Sequence, residues 1–225
     1  MSLLLYGITT AGEDAGGELL GVAGAAVSRI GAAGLVALAS EHAVKPELTE
    51  EALWSFERVL ESVMEAHAVL PVRFGALLAD AGEVARMLEL RRAEFVPKLE
   101  RVRGAVELSV RGIWSEAPEP AETRHAATGA TSGTDYMRAR LAPQRRAHEL
   151  AERVHAQLDD RARASTHRIL THASVPLSAA FLVDRGTEAE FARAVDSLAA
   201  ELAGTELVCT GPWPAYSFVG GPHDG

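Results

Sequence analysis

One stretch divides this chain. Ser115 to Gly133, SEAPEPAETRHAATGATSG, holds Pro118 and Pro120, many small polar residues and no apolar periodicity. A segment without an apolar face cannot join a core, so any core must be built on either side of it. It reads as a domain boundary, or as a variable loop within a strand-to-helix connection. Two modules are expected, 1–114 and 134–225, with 115–133 between them as linker or loop. A chain of 225 residues accommodates two small domains or one large one, and either can bury a core.

Before the divide, LLLYGI (Leu3 to Ile8) is a short continuous apolar run of the kind that forms a buried strand. Glycine-rich ground follows, with a strand expected near AAVSRI and another at LVALASE, Leu35 to Glu41, the two forming a hairpin. Thr49 stands ahead of EEALWSFERVLESVMEAH, where it can cap a helix whose first turn carries Glu50 and Glu51. Leu53, Phe56, Leu60, Val63 and Met64 define the apolar face of that helix. AVLPVRFGALL is expected as one buried strand with Pro71 near its start. Asp80 opens a second helix with Val84, Leu88, Phe95, Leu99 and Val102 near one face, and Pro97 predicts a kink or a break. GAVELSVRGIW alternates as a half-exposed antiparallel strand does.

After the divide, a long helix is expected from about residue 134 to His167, rich in arginine (Arg138, Arg140, Arg145, Arg146, Arg153, Arg161, Arg163 and Arg168), with Pro143 bending it or marking a late start. SVPLSAAFLVDR is the next strand. TEAEFARAVDSLAAELAG is a helix capped by Thr187, with Phe191, Val195, Leu198 and Leu202 facing inward and Gly204 stopping it. TELVCTG is a last strand. Helices and hairpins without strict β-α alternation make the fold class α+β in two modules, the C-terminal one resembling part of a ferredoxin-like arrangement.

Several functions are disfavoured. A formal net charge of -9 and a pI near 5.4 argue against a general nucleic-acid binder. Cys209 is the single cysteine, which excludes an intrachain disulfide and a cysteine-rich metal site and fits a reducing cytoplasm. The start does not read as a signal peptide, and no apolar run approaches the roughly 20 residues that span a bilayer. The histidines show no metal-ligand spacing, the glycine-rich segment lacks a Walker lysine, and no GxSxG elbow occurs. No enzyme, cofactor or metal is expected. Arg73, in LPVRFG, reads either as a salt-bridged or strand-end residue or as an anchor for a partner carboxylate. The arginine-rich helix reads as a solvated face with helix-spaced ion pairs or as a surface for phosphate backbones or an acidic protein.

The C-terminal LVCTGPWPAYSFVGG concentrates Trp213, Tyr216 and Phe218 in a chain with only 5% aromatic residues. Pro212 and Pro214 should end the last strand and lay this tail across a neighbouring surface. There it either closes the protein's own core or remains in part a docking surface. VLPVRFGALL, FVPKLERVRGAVELSVRGIW, SGTDYMRARL and FLVDRGTEAEFARAVDSLAAE with LVCTGPWPAYSFV together resemble, in order and over nearly the whole chain, the gas vesicle protein F/L family. PVRFG and TGPWPAYSF are the most specific blocks. Two positions depart from the family pattern: Ala215, where a second proline is common, and Leu108, where a tryptophan often stands. The resemblance implies a non-enzymatic cytoplasmic accessory protein. Its partners would be the hydrophobic gas vesicle shell protein and other accessory proteins, with no nucleic acid and no lipid membrane. Arg73, Trp213, Tyr216 and Phe218 are the candidate partner-binding residues. The alternative, from the ferredoxin-like reading, is a small-ligand sensor or metabolic enzyme, which would need a pocket of convergent polar groups.

Overall fold

The computed structural model describes residues 1–12, 19–115, 133–170 and 174–220, with the backbone alone over 133–140. Most of the 115–133 linker lies outside the described residues. By its contacts the chain forms two compact units: Met1–Val106 together with the chain from Trp213 onward, and Glu107–Pro212. The fold class is α+β.

The first unit is built around β1 (Ser2–Thr10), which is buried from Leu3 to Thr9. A strand buried over that length needs partners on both edges, because its amides and carbonyls have no water to bond. On one edge it pairs antiparallel with β3 (Leu35–His42), from Ser2 opposite His42 to Thr10 opposite Leu35, with a shift between Leu5 and Gly7. β2 (Val27–Ala32) extends the sheet beyond β3 through a tight hairpin. Its turn residues Ala33 and Gly34 both have positive φ (52° and 79°), the backbone that two-residue hairpin turns require.

The other edge of β1 corrects an expectation. AVLPVRFGALL is two short strands, β4 (Leu70–Pro71) and β5 (Leu77–Leu78), both paired with β1. The Val72 amide still donates to the Tyr6 carbonyl at 2.8 Å, and the Leu5 amide donates to the Ala76 carbonyl at 3.0 Å. Between them the chain leaves the ladder and turns at Gly75, φ 89°. Arg73 therefore sits exposed in a bulging turn and not in a buried strand.

Two helices complete this unit: α1 (Glu50–Met64) and α2 (Ala81–Val102). Each is capped as its sequence predicts, Thr49 accepting from the Ala52 amide at 3.2 Å and Asp80 from the Glu83 amide at 2.8 Å. The buried face of α1 consists of Ala52, Phe56, Val59, Leu60, Val63 and Met64. Leu53, expected inside, lies on the margin of that face and is 38% exposed. α2 runs unbroken through Pro97, which lies on an exposed side where water can take the carbonyl that proline leaves unbonded.

In the second unit the elements run β6 (Ala105–Trp114), α3 (Gly133–Leu158), β7 (Ala164–Ile169), β8 (Leu177–Asp184), α4 (Glu188–Glu201), β9 (Thr205–Trp213). The sheet order is β7-β8-β6-β9. This β-α-β-β-α-β succession is compatible with a ferredoxin-like arrangement. Hydrogen bonding places nearly all of β6 in this second sheet, so the units part within β6 and not at residue 114. Leu150, Val154 and Leu158 of α3 and Phe191, Val195 and Leu198 of α4 cover Val110, Leu177, Phe181 and Val183 of the sheet. Gly112 permits the approach: a Cβ there would stand 2.8 Å from Leu150 Cδ2.

Three local readings change here. α3 ends at Leu158, and the stretch expected as its continuation is a 3-10 turn (Asp159–Arg161) followed by β7. β7 is an edge strand with Thr166, His167 and Arg168 exposed, so it lacks the apolar alternation that marks a strand. Thr187 makes no side-chain cap; its hydroxyl donates back to the Asp184 carbonyl. β6 is not half-exposed over its first part, since Ala105, Val106, Glu107 and Leu108 are all buried.

Tyr6 is fully buried against Phe56, with ring centroids 4.8 Å apart. Its hydroxyl accepts from the Val22 amide at 2.9 Å and shares a 2.7 Å hydrogen bond with Ser40 Oγ. Tyr6→Phe would leave the Val22 amide without its acceptor and Ser40 Oγ with only its 2.8 Å hydrogen bond to His42 Nε2, and its expected cost is about 1–3 kcal/mol. A lower urea midpoint at unchanged m-value measures it; an unchanged midpoint would show that the hydroxyl contributes nothing.

Candidate functional site

The aromatic tail returns to the first unit. β9 runs through Pro212 to Trp213, so Pro212 does not end the ladder. After the buried pair Pro214 and Ala215, the chain makes one helical turn, α5 (Tyr216–Val219), where an extended tail was expected. The turn closes by the Tyr216 amide on the Pro214 carbonyl at 2.7 Å and the Phe218 amide on the Ala215 carbonyl at 3.1 Å. α5 lies against α2 and β4.

Three side-chain interactions hold it. Phe218 is buried, with the Arg101 guanidinium 5.8 Å from its ring centroid. Lys98 Nζ donates to the Val219 carbonyl at 2.7 Å and to Glu94 Oε1 at 2.6 Å. The Arg91 and Lys98 hydrogen bonds on Glu94 pull its carboxyl down to about 2. The Tyr216 hydroxyl donates to Glu57 Oε1 at 2.7 Å, and Tyr216 packs against the Tyr6–Phe56 core. Burial raises the Glu57 carboxyl above its ordinary value, against the Tyr216 hydrogen bond, and the Glu61 charge raises it further. Glu57 Oε2 is buried without a hydrogen-bond partner.

Of the four candidate residues, Tyr216 and Phe218 are thus brought together over α1, α2 and β4. Trp213 is half-buried, and Arg73 lies exposed two residues beyond Pro71 of β4. Sequence reasoning missed Glu57, Glu94 and Lys98. The only signal was the i, i+4 spacing of Glu94 and Lys98, which surface ion pairs share.

The second unit has a histidine pair at the end of α3. The His155 and His167 rings lie 4.4 Å apart, and Ser165 Oγ lies 3.2 Å from His155 Nδ1. Burial and the neighbouring His155 and His148 lower the His167 pKa. Among the described residues, no group of three or more His, Cys, Asp or Glu is placed to hold a metal ion. A depression of about 300 Å³ is lined by Leu141, Gln144, Arg145, His148, Glu149 and Glu152. All six come from α3, so it is a furrow on one helix, without opposing walls to converge on a substrate. No helix of the described residues is long and apolar enough to cross a membrane.

Glu57 gives a pH prediction. A carboxyl raised in the fold contributes its stability in the protonated form, fully below its ordinary value of 4.5, and loses it as pH rises through the folded value. Glu57→Gln keeps an acceptor for Tyr216 and removes the ionisation. The variant should melt higher than wild type at pH 8 and no higher at pH 4; an equal difference at both would remove Glu57 as the cause.

A family model described as gas vesicle synthesis protein GvpL/GvpF matches residues 2–220. Gas vesicle protein L of Streptomyces sp. (strain CB03234) is 34% identical over 187 residues, 76% of this chain and 69% of that protein. Gas vesicle protein F2 of Halobacterium salinarum is 28% identical over 222 residues, 96% of this chain and 91% of that protein. The crystal structure of gas vesicle protein GvpF from Microcystis aeruginosa matches with a TM-score of 0.80 at 20% identity, covering 97% of this chain and 99% of that one, and so shares its fold. With the family match spanning both units, the chain belongs to the GvpL/GvpF family of gas vesicle synthesis proteins.

Proposed function

We propose that this protein is a non-catalytic, cytoplasmic accessory factor that assists gas vesicle assembly by binding the hydrophobic shell protein and other accessory proteins. The observation that carries this reading is the match to the gas vesicle synthesis family over residues 2–220. The mechanism is masking. An apolar patch on the accessory protein covers the aggregation-prone surface of a shell subunit and releases it into the growing wall. Arg73 and Trp213, exposed and half-buried, are the contact residues of this proposal. Tyr216 and Phe218 serve it by holding the tail in place, through the Glu57 hydrogen bond and burial of the Phe218 ring.

The test is co-expression with the shell protein and the other vesicle components, followed by capture on this chain. Wild type should retain shell protein, and Trp213→Ala and Arg73→Ala variants of verified fold should retain less, by about three- to tenfold for a contact of ordinary strength. Capture of no vesicle component would overturn the proposal. Full capture by both variants would keep the role and remove these two residues from it.

A further inference from the structure

α1 carries a second face that the fold covers only in part, where Tyr216 meets Glu57. With about 100° between successive helical residues, Glu50, Trp54, Glu57, Glu61 and Glu65 fall within a sector of about 80°. Opposite them lie the buried Ala52, Phe56, Val59 and Val63. Trp54 is 58% exposed in the middle of this stripe, and its indole N–H donates to Glu50 Oε1 at 3.3 Å, which orients the ring along the helix. The loop leading into α1 adds Val44 and Leu48, 80% and 70% exposed, and Leu53 stands at the stripe's margin. Leu48 and Leu53 occupy the positions before the cap and in the first turn where a hydrophobic staple would close, yet Leu48 remains open. Single exposed apolar residues are ordinary; four gathered on one loop and one helical turn are not.

The charge around them has one sign. Residues 43–65 hold six glutamates (Glu47, Glu50, Glu51, Glu57, Glu61, Glu65) against Lys45 and Arg58. Glu57, Glu61 and Glu65 repeat at four-residue spacing, which sets like charges side by side and disfavours the helix when nothing opposes them.

We propose that this face of α1 is a docking site for a basic amphipathic helix of a partner protein. Such a helix would lay Lys or Arg at i, i+4, i+7 and i+11 along the glutamates and its apolar residues over Trp54, Leu53 and Leu48. A helix suits the linear stripe, because its i, i+4 repeat of about 6 Å matches the spacing of the glutamates along α1. Trp54 is the anchor, as large half-open indoles are in binding surfaces. None of Val44, Leu48, Leu53 and Trp54 belongs to the contacts assigned above, and the face is tested without any vesicle component.

The probe is a designed helical peptide with Leu on one face and Lys at i, i+4, i+7 and i+11, titrated calorimetrically into the full chain, with a second peptide carrying Glu in place of each Lys. The Lys peptide should bind, and rising salt should weaken it. Trp54→Ala and the double variant Glu61→Lys/Glu65→Lys should each lose about tenfold in affinity. Leu90→Ala, at an exposed position on α2, should bind as wild type does. The substituted positions are exposed or half-buried, and circular dichroism confirms that each variant is folded. Failure of the Lys peptide to bind, equal binding of the Glu peptide, or affinity unchanged in both α1 variants would overturn the assignment. So would self-association of the wild type in sedimentation equilibrium that Trp54→Ala abolishes, since a second copy would then be the occupant.

Discussion

Water cannot reach the backbone of β1 over most of its length, and the first unit is arranged around that fact. Each amide and carbonyl from Leu3 to Thr9 must find protein, so two separate parts of the chain come to its edges. The hairpin β2–β3 arrives from the sequence just after it. The other edge is filled by a return from much farther along, Leu70–Val72 and Ala76–Leu78, and α1 is the connection that brings it there. The Tyr6 hydroxyl ties the same strand to Ser40 of β3 and to Val22 of the preceding loop, so one side chain joins three segments that are far apart in sequence.

That dependence explains what could be read from the residues and what could not. Leu3–Ile8, Leu35–Glu41 and Leu177–Asp184 announce themselves because a strand buried on both faces over most of its length carries an apolar run. The faces of α2 and α4 are legible because each packs against a sheet along its length. Edges are another matter. β7 is held by backbone bonds to β8 while its side chains stay polar, and a polar arginine-bearing run after a helix reads as more helix. The Arg73 bulge is invisible for a related reason: Val72 and Ala76 keep their hydrogen bonds to β1, so the sequence on either side still looks like one strand.

The candidate site divides in the same way. Aromatic residues flanked by prolines made the tail conspicuous, and the family blocks PVRFG and TGPWPAYSF lie on segments that the fold places beside each other, β4 and α5. What holds the tail is a pair of ordinary helical residues, Glu57 and Lys98, whose partners lie 159 and 121 positions away. No local pattern marks such residues, because their role is created by topology. Trp54 shows the converse. The apolar face read from the sequence of its helix passes over Trp54, and it is the fold that leaves this ring 58% exposed while Phe56 and Leu60 are buried.

The division of the first unit into two pieces of chain has a consequence in time. The second unit is one continuous stretch, whereas the first is finished only when Tyr216 and Val219 arrive. Synthesis proceeds from the N-terminus at about 5–20 residues per second, so roughly ten seconds pass between the emergence of Val106 and that of the tail. During that interval β4 lacks its cover, the Lys98 ammonium has no carbonyl to hold, and the Glu57 carboxyl has no phenol. A protein that meets the growing chain on the ribosome therefore meets a surface that the completed molecule no longer displays.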